Sequence, residues 1–125
     1  MAGRSTRSLG STTTIAMHHV RVQITKFVNR NPQPGIVECQ LVDAFGKLWT
    51  FVDKSAIFST EALDNSATYP RPGIIRCEVL SRGTDELGKD VLEIDTSKPD
   101  HVEATGGEHR FVVHEALVME PQGAA

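Results

Sequence analysis

Residues 34–53 read PGIVECQLVDAFGKLWTFVD, and in this stretch apolar and polar side chains alternate on either side of a turn that contains glycine. In the first arm, Val37, Cys39 and Leu41 alternate with polar residues, which is the pattern of a half-buried strand. The centre, residues 43–47, has the composition of a three-residue hairpin loop with its glycine in the left-handed position. The stretch therefore predicts a β-hairpin.

The loop also predicts how the two arms of this hairpin pair. A three-residue loop places Leu41 opposite Trp49 and Cys39 opposite Phe51. Those side chains then share one face with Val37, so the turn chemistry and the apolar pattern agree. We predict that Trp49 and Phe51 are the largest buried side chains of the hairpin.

A related phrase, YPRPGIIRCEVL, occurs at residues 69–80, and DELGK at residues 85–89 matches the D-x-x-G-K pattern of the first turn. This internal repeat predicts a second hairpin. The two copies arose either by duplication or by independent convergence on the same strand and turn residues. Strict pairing across the second turn would set Val79 against Asp95 and turn the apolar residues of the return arm to the wrong face. One extra residue must therefore be absorbed, and we predict a bulge at residues 81–83, where a glycine tolerates the required backbone angles.

Three further segments complete the predicted secondary structure. The alternation around residues 20–24 predicts a first strand. Residues 56–58 predict a short edge strand, followed by one helical turn at residues 59–64. Residues 101–113 predict a third hairpin with a two-residue turn at Gly106-Gly107.

The register of this third hairpin follows from its turn. The turn would place Val102 against Phe111 and Glu103 against Arg110, which makes an apolar pair on one face and a pair of opposite charges on the other.

About six or seven strands with short turns predict an all-β protein, either a small antiparallel barrel or a sandwich, with at most a short helical turn. We favour the barrel because a chain this short needs to cover its sheet edges. The predicted organisation is a disordered tail over residues 1–16, a single β domain over 17–120 and a disordered C-terminus over 121–125. The Ser/Thr-rich, basic first segment could be native sequence, a targeting segment or an upstream extension.

The charge and hydropathy of the chain disfavour several classes of partner. The 125 residues include 13 Lys and Arg against 16 Asp and Glu, a formal charge of −3, so no overall basic field attracts nucleic acid. Aromatic residues make up 6 % of the chain, too few for both a core and a base-stacking platform. No apolar run reaches the roughly 18 residues of a membrane span, and no secretory signal precedes the strands. We expect a cytoplasmic protein that binds neither nucleic acid nor membrane.

Residue types that carry chemistry have plainer structural explanations in this sequence. Cys39 and Cys77 alternate with polar residues and are predicted to be buried thiols. His101-Val102-Glu103 has the His-x-Glu spacing of zinc deaminases but lacks the accompanying Pro-Cys-x-x-Cys. Asp53 and Asp95 each end a strand, where solvation explains them. We therefore predict no catalytic residue, no metal ligand and no cofactor, and the pattern identifies no binding residue. The five histidines are His18, His19, His101, His109 and His114.

Two functions from different classes fit this sequence. The first is a non-enzymatic protein-interaction module whose partner is another protein or a second copy of the chain. The alternative is a small-molecule-binding protein or an enzyme with a site in the barrel mouth. The alternative would be favoured by an enclosed pocket in which at least two of five titratable side chains come together. These side chains are His101, His109, His114, Asp53 and Asp95.

The first segment generates a prediction about stability. Residues 1–16 contain no burial pattern, so a chain that begins at Met17 should unfold at the same temperature as the full chain. Circular dichroism during heating measures this, and a clearly lower melting temperature for the shorter chain would refute the assignment of the tail.

Overall fold

The computed structural model describes residues 17–31, 35–61 and 63–120. The predicted tails at residues 1–16 and 121–125 lie outside these ranges. Regular structure in the described part is almost entirely β, with one helical turn, α1, at Ser55–Phe58 and a 3₁₀ turn at Glu115–Leu117. The strands are β1 (His18–Asn29), β2 (Ile36–Val42), β3 (Leu48–Lys54), β4 (Arg71–Thr84), β5 (Asp90–Asp95), β6 (Arg110–His114) and β7 (Val118–Met119).

The seven strands of the described residues form one antiparallel sheet in the order β3-β2-β1-β4-β5-β6, with β7 pairing against β1. The sheet curls into a half-barrel, which confirms the prediction of a small all-β barrel. Its concave face carries the apolar residues that alternate along the strands, and these form a single cluster of buried side chains.

The two longest strands, β1 and β4, allow the sheet to curl. Strand β4 pairs with β1 up to Cys77 and with β5 from Glu78 onward. The register shifts between Val79 and Ser81, so Leu80 is the extra residue. The predicted bulge therefore exists, but it precedes the expected position at residues 81–83. A bulge bends a strand, and this one lies at the point where β4 leaves one neighbour for the next.

The first hairpin has the predicted register, with Leu41 opposite Trp49 and Cys39 opposite Phe51. Cys39, Leu41 and Phe51 are buried, as expected. Trp49 is half-buried, and its indole lies against Phe111 at a ring-centroid distance of 5.1 Å. The prediction that Trp49 is a buried side chain was thus correct only for part of its ring.

Phe111 closes the gap between the two ends of the sheet, strands β3 and β6. Its ring packs edge-on against Trp49 and also against Phe51, whose centroid is 5.6 Å away. Two backbone bonds bridge the same gap at 2.8 Å. In one, the Ala44 N–H donates to Val112 O, and in the other the Thr105 N–H donates to Thr50 O. The first bond joins the β2–β3 loop to β6 and the second joins the loop before β6 to β3, so side chains and loops link the two end strands.

The segment after β3 does not have the predicted structure. Residues 56–58 belong to the helical turn α1 rather than to an edge strand, and the described residues of 59–64 form no helix. A helical turn brings residues three apart onto one face, so Ser55 and Phe58 both point inward and both are buried. Phe58 thereby enters the core, which an exposed edge strand would not have allowed.

The third hairpin prediction was also wrong. Strand β6 pairs with β5, and Arg110 lies opposite Asp95 rather than Glu103. Val102 is buried, but its N–H donates to Thr96 O at 3.1 Å, so it does not face Phe111 in a two-stranded ladder. The Gly-Gly turn is a three-residue loop, in which the Ala104 N–H donates to Glu108 O at 2.8 Å. Two consecutive glycines suit a two-residue turn and a three-residue loop equally well. The three-residue loop forms where β6 pairs with β5 and not with residues 101–105.

Both cysteines are fully buried in the core and unpaired, as predicted. Burial raises the pKa of both thiols, that of Cys77 to about 12. A thiol held protonated is a poor nucleophile and a poor metal ligand. The two cysteines are therefore packing residues.

Gly46 and Gly83 provide a matched test of the loop conformation. A Cβ added at either position would meet no atom within 4 Å, but only Gly46 has positive φ, at +83°. Gly46→Val should therefore lower the free energy of unfolding by about 1–3 kcal/mol. Gly83→Val, in strand β4, should cause no loss because β-branched residues suit strands. Urea unfolding of both variants measures the difference, and equal losses would contradict the left-handed requirement at Gly46.

Candidate functional site

The two D-x-x-G-K loops close in the same way. In the first loop, the Asp43 N–H donates to Lys47 O at 2.9 Å. In the second, the Asp85 N–H donates to Lys89 O at 2.8 Å, and Gly88 has a φ of +81°. Residues 43–47 and 85–89 are hereafter called the loop pair.

The aspartate that begins each loop holds its backbone in place. Asp85 Oδ1 accepts N–H bonds from Leu87 and Lys89, both at 2.9 Å. These bonds, chiefly the one from Lys89, lower the pKa of Asp85. Asp43 Oδ1 accepts the equivalent pair of N–H bonds at the same distances. Each loop is therefore a turn whose backbone N–H groups are held by the carboxylate of its first residue.

This loop geometry points the third residue of each loop into solvent. Phe45 is 78 % exposed and Leu87 is 82 % exposed, more than any other large apolar side chain of the described residues. Val42 and Leu48, which pair at the base of the first loop, are about half exposed. The loop pair thus presents apolar side chains to water.

The loop pair lies at one end of the half-barrel, with the two loops side by side. A groove of about 460 Å³ runs between them, and both Phe45 and Leu87 line it. A second groove of about 890 Å³ is lined by Gly46 and Gly88, together with His114. Two apolar tips and two adjacent grooves therefore form one continuous surface, called here the loop-pair surface.

Acidic side chains dominate the loop-pair surface. The two grooves are lined by five carboxylates and a single lysine, Lys89. The carboxylates belong to Asp43, Asp85, Glu86, Asp90 and Glu115. Lys47 belongs to the first loop, Glu115 pairs with Arg82 at 3.6 Å and Asp43 is buried, so the apolar centre is bordered by a modest excess of acidic groups.

Further contacts fix the first loop to the body of the protein. The indole N–H of Trp49 donates to Asp43 Oδ2 at 2.8 Å, and the Lys47 ammonium lies 4.2 Å from the centroid of the indole ring. The Ala44 N–H bond to Val112 ties the loop to strand β6. Because these attachments lie on both sides of Phe45 in the chain, they fix the backbone that carries its exposed ring.

Of the titratable residues singled out in the sequence, Asp95 and His109 come together. His109 Nδ1 lies 2.9 Å from Asp95 Oδ1, which also accepts bonds from the Ser97 N–H at 2.8 Å and the Ser97 hydroxyl at 2.7 Å. Asp95 is only 5 % exposed. Its assignment to strand-end solvation was wrong, because the bonds it accepts replace water.

Ser97, Asp95 and His109 have the composition of a catalytic triad but the wrong arrangement. A triad needs histidine between serine and aspartate, so that the imidazole can accept the hydroxyl proton. Here the carboxylate lies between the other two, and the serine hydroxyl donates directly to it. Neither Asp95 nor His109 lines either groove of the loop-pair surface. This cluster can hold the turn after β5, but it cannot relay a proton from serine to histidine.

Of the other titratable residues singled out in the sequence, His101 touches this cluster through its backbone, because its N–H donates to Ser97 O at 2.8 Å. His114 lines a groove of the loop-pair surface, Asp53 lies opposite Val37 in the first hairpin, and His101 is exposed with a φ of +56°. Within residues 17–31, 35–61 and 63–120, no group of three or more His, Cys, Asp or Glu side chains is placed to hold a metal ion.

Sequence reasoning did not identify Phe45 and Leu87 as candidate functional residues. The sequence did contain a signal for their exposure, since Phe45 and Leu87 are the third residues of loops 43–47 and 85–89. An apolar side chain at that position has no neighbouring strand to cover it. The repeat pointed to both positions at once.

Comparisons with known proteins gave no match to a family, to a curated protein or to a solved structure. In the described part of the chain, none of the helices has the length and apolar character needed to cross a membrane.

The Asp95 cluster generates a prediction about pH. Burial alone would raise the pKa of Asp95, but the bonds from Ser97 and His109 hold it at about 2, against about 4 in an unfolded chain. A lowered native pKa contributes stability above pH 4 that is lost as the pH falls toward 2. Asp95→Asn keeps an acceptor oxygen but cannot titrate, so its stability should fall less over this range.

Urea unfolding at a series of pH values measures this loss. Asp90→Asn, at an exposed position in the same strand, is the control and should follow the unaltered protein. Parallel curves for the unaltered protein and Asp95→Asn would contradict the role given to Asp95.

Proposed function

We propose that this protein is a non-enzymatic interaction module that binds a partner protein through the loop-pair surface. The observation that carries the proposal is the exposure of Phe45 and Leu87 at 78 % and 82 % on two adjacent rigid loops. Exposed apolar side chains grouped at one place and surrounded by polar groups are characteristic of interaction sites.

The energetics of burial support two anchors. Covering a side chain of the size of phenylalanine or leucine contributes about 1.5–3 kcal/mol. Anchors of this kind dominate binding when they enter pockets and exclude water. Because both loops are held by backbone and carboxylate bonds, little conformational entropy is lost on binding.

The charges around the tips define the partner. Five carboxylates line the adjacent grooves and outnumber Lys47, Lys89 and the Arg82 that pairs with Glu115, so the complementary surface is basic with apolar pockets at its centre. The same carboxylates oppose docking to an anionic lipid surface or to a phosphate backbone. The partner is therefore a protein with a basic face, and we place the complex in the cytoplasm, where unpaired thiols persist.

Site-specific crosslinking tests this proposal. A photoreactive phenylalanine analogue placed at position 45 or 87 should crosslink one and the same basic protein in the native cells. Placed at position 28, where Val28 is 48 % exposed outside the loop pair, it should not. The captured protein is then purified and its affinity for the unaltered chain is measured by calorimetry.

Matched serine variants complete the test. Phe45→Ser and Leu87→Ser should each weaken binding to the purified partner by about tenfold or more while leaving the melting temperature unchanged. Val28→Ser should bind as well as the unaltered chain. Equal binding by all three variants would overturn the proposal. So would crosslinks to the chain's own second copy alone, accompanied by dimers in sedimentation, because the loop pair would then be a self-association surface.

A further inference from the structure

The two loops of the loop-pair surface meet across the place where the half-barrel closes. Along the sheet, the first loop joins β2 to β3 and the second joins β4 to β5, so β1 lies between the two hairpins. The lining of the groove between the loops includes Val112 of β6 and Val91 of β5, and none of the described residues of β1. The loops are therefore neighbours through β6, and not through the continuous part of the sheet.

The contacts that close the half-barrel between β3 and β6 are hereafter called the seam. They are the edge-on packing of Phe111 against Trp49 and Phe51, the bond from the Ala44 N–H to Val112 O, and the bond from the Thr105 N–H to Thr50 O. As far as the chain is described, β3 and β6 form no ladder with each other. The neighbouring strands β5 and β6 pair from Val91 to Asp95, so two backbone bonds make the seam the more weakly bonded boundary.

The two loops have no direct bond that would hold them together if the seam opened. None of the hydrogen bonds described for residues 43–47 or 85–89 joins one loop to the other. The first loop is tied to β6 by the Ala44 bond, and the second loop is carried by β5, which pairs with β6. The position of one loop relative to the other across this gap therefore depends on the seam.

Opening of the seam has a defined effect on the loop-pair surface. Proteins open locally where few backbone bonds hold two parts together, before they unfold as a whole. Separation of β3 from β6 breaks the bond between Ala44 and Val112, so the first loop leaves with β2 and β3 while the second loop stays with β5 and β6. Phe45 and Leu87 then lie on different edges of an open sheet.

We propose that the seam is a conformational switch for the loop-pair surface. With the seam closed, the two apolar tips form one surface, and with the seam open they separate and the surface is lost. This inference rests on the proposed function, since it describes how the proposed binding surface is assembled. The coupling between the seam and the loops belongs to this chain alone, so it can be measured without a partner.

Amide hydrogen exchange of the full chain, followed by NMR under native conditions, tests whether the seam opens separately. The Ala44 and Thr105 amides, which bond across the seam, should exchange faster than the amides of the β1–β4 ladder. Phe111→Leu removes both edge-on ring contacts and should speed the exchange of these two amides by about tenfold. Phe58→Leu is the control, because Phe58 is fully buried but makes neither ring contact. It should lower global stability and speed the ladder amides without affecting the two seam amides.

A covalent bridge between the loops tests whether they separate when the seam opens. In the variant Phe45→Cys/Leu87→Cys, a flexible bis-maleimide joins the two new thiols. Cys39 and Cys77 are fully buried and stay unmodified. The bridge restricts the open state, so the Thr105 amide should exchange about tenfold more slowly. The control is the same variant with each new thiol capped separately by N-ethylmaleimide.

Three results would overturn the switch. If the Ala44 and Thr105 amides exchange no faster than the ladder, the seam opens only when the whole protein unfolds. Equal effects of Phe111→Leu and Phe58→Leu on the Thr105 amide would remove the ring contacts from the closing of the seam. Equal exchange in the bridged and capped proteins would show that the loops stay together when the seam opens. None of these measurements uses a partner, so failure of the switch is distinguished from failure to capture a basic protein by crosslinking.

Discussion

The closure of a three-residue loop by an aspartate and a left-handed glycine is the constraint on which the rest of the structure depends. Once Asp43 accepts the amides of the loop and Gly46 adopts positive φ, every pair along β2 and β3 is fixed. A shift of one residue would send the core side chains to the solvent face. The same closure leaves the third loop residue without cover, so the geometry that sets the core also exposes Phe45 and Leu87.

The sequence predicted those parts of the fold that local chemistry determines. The first hairpin needed only the turn residues and the alternation around them, and its register was correct to the residue. The errors occurred where distant parts of the chain decide. Residues 56–58 have strand composition, but the core gained Phe58 only through a helical turn. The pattern of residues 101–105 is compatible with pairing to β6, but β6 pairs with β5 instead. A local sequence pattern does not show which of two possible strands will pair.

The candidate site was less predictable than the fold because exposure depends on which loops become neighbours. The repeat identified two equivalent loops, but it did not show that they lie side by side around one groove. Two of the five titratable side chains singled out in the sequence, Asp95 and His109, do meet, but with Ser97 they form an arrangement that stabilises a turn. A serine, a histidine and an aspartate can form a catalytic triad or a purely structural hydrogen-bond cluster. Composition alone does not distinguish these two arrangements.

The hydrogen bond from Ala44 to Val112 joins the first loop to the strand at the opposite end of the sheet. The loop and the line where the half-barrel closes are thereby a single mechanical unit, because tilting the loop would stretch a bond that also holds the two edges together. Strand β6 also carries Phe111, whose ring packs against Trp49 and Phe51, so direct contacts connect the first loop, β6 and the aromatic cluster. A partner that bound the first loop would therefore oppose the separation of β3 from β6 and slow the opening of the half-barrel.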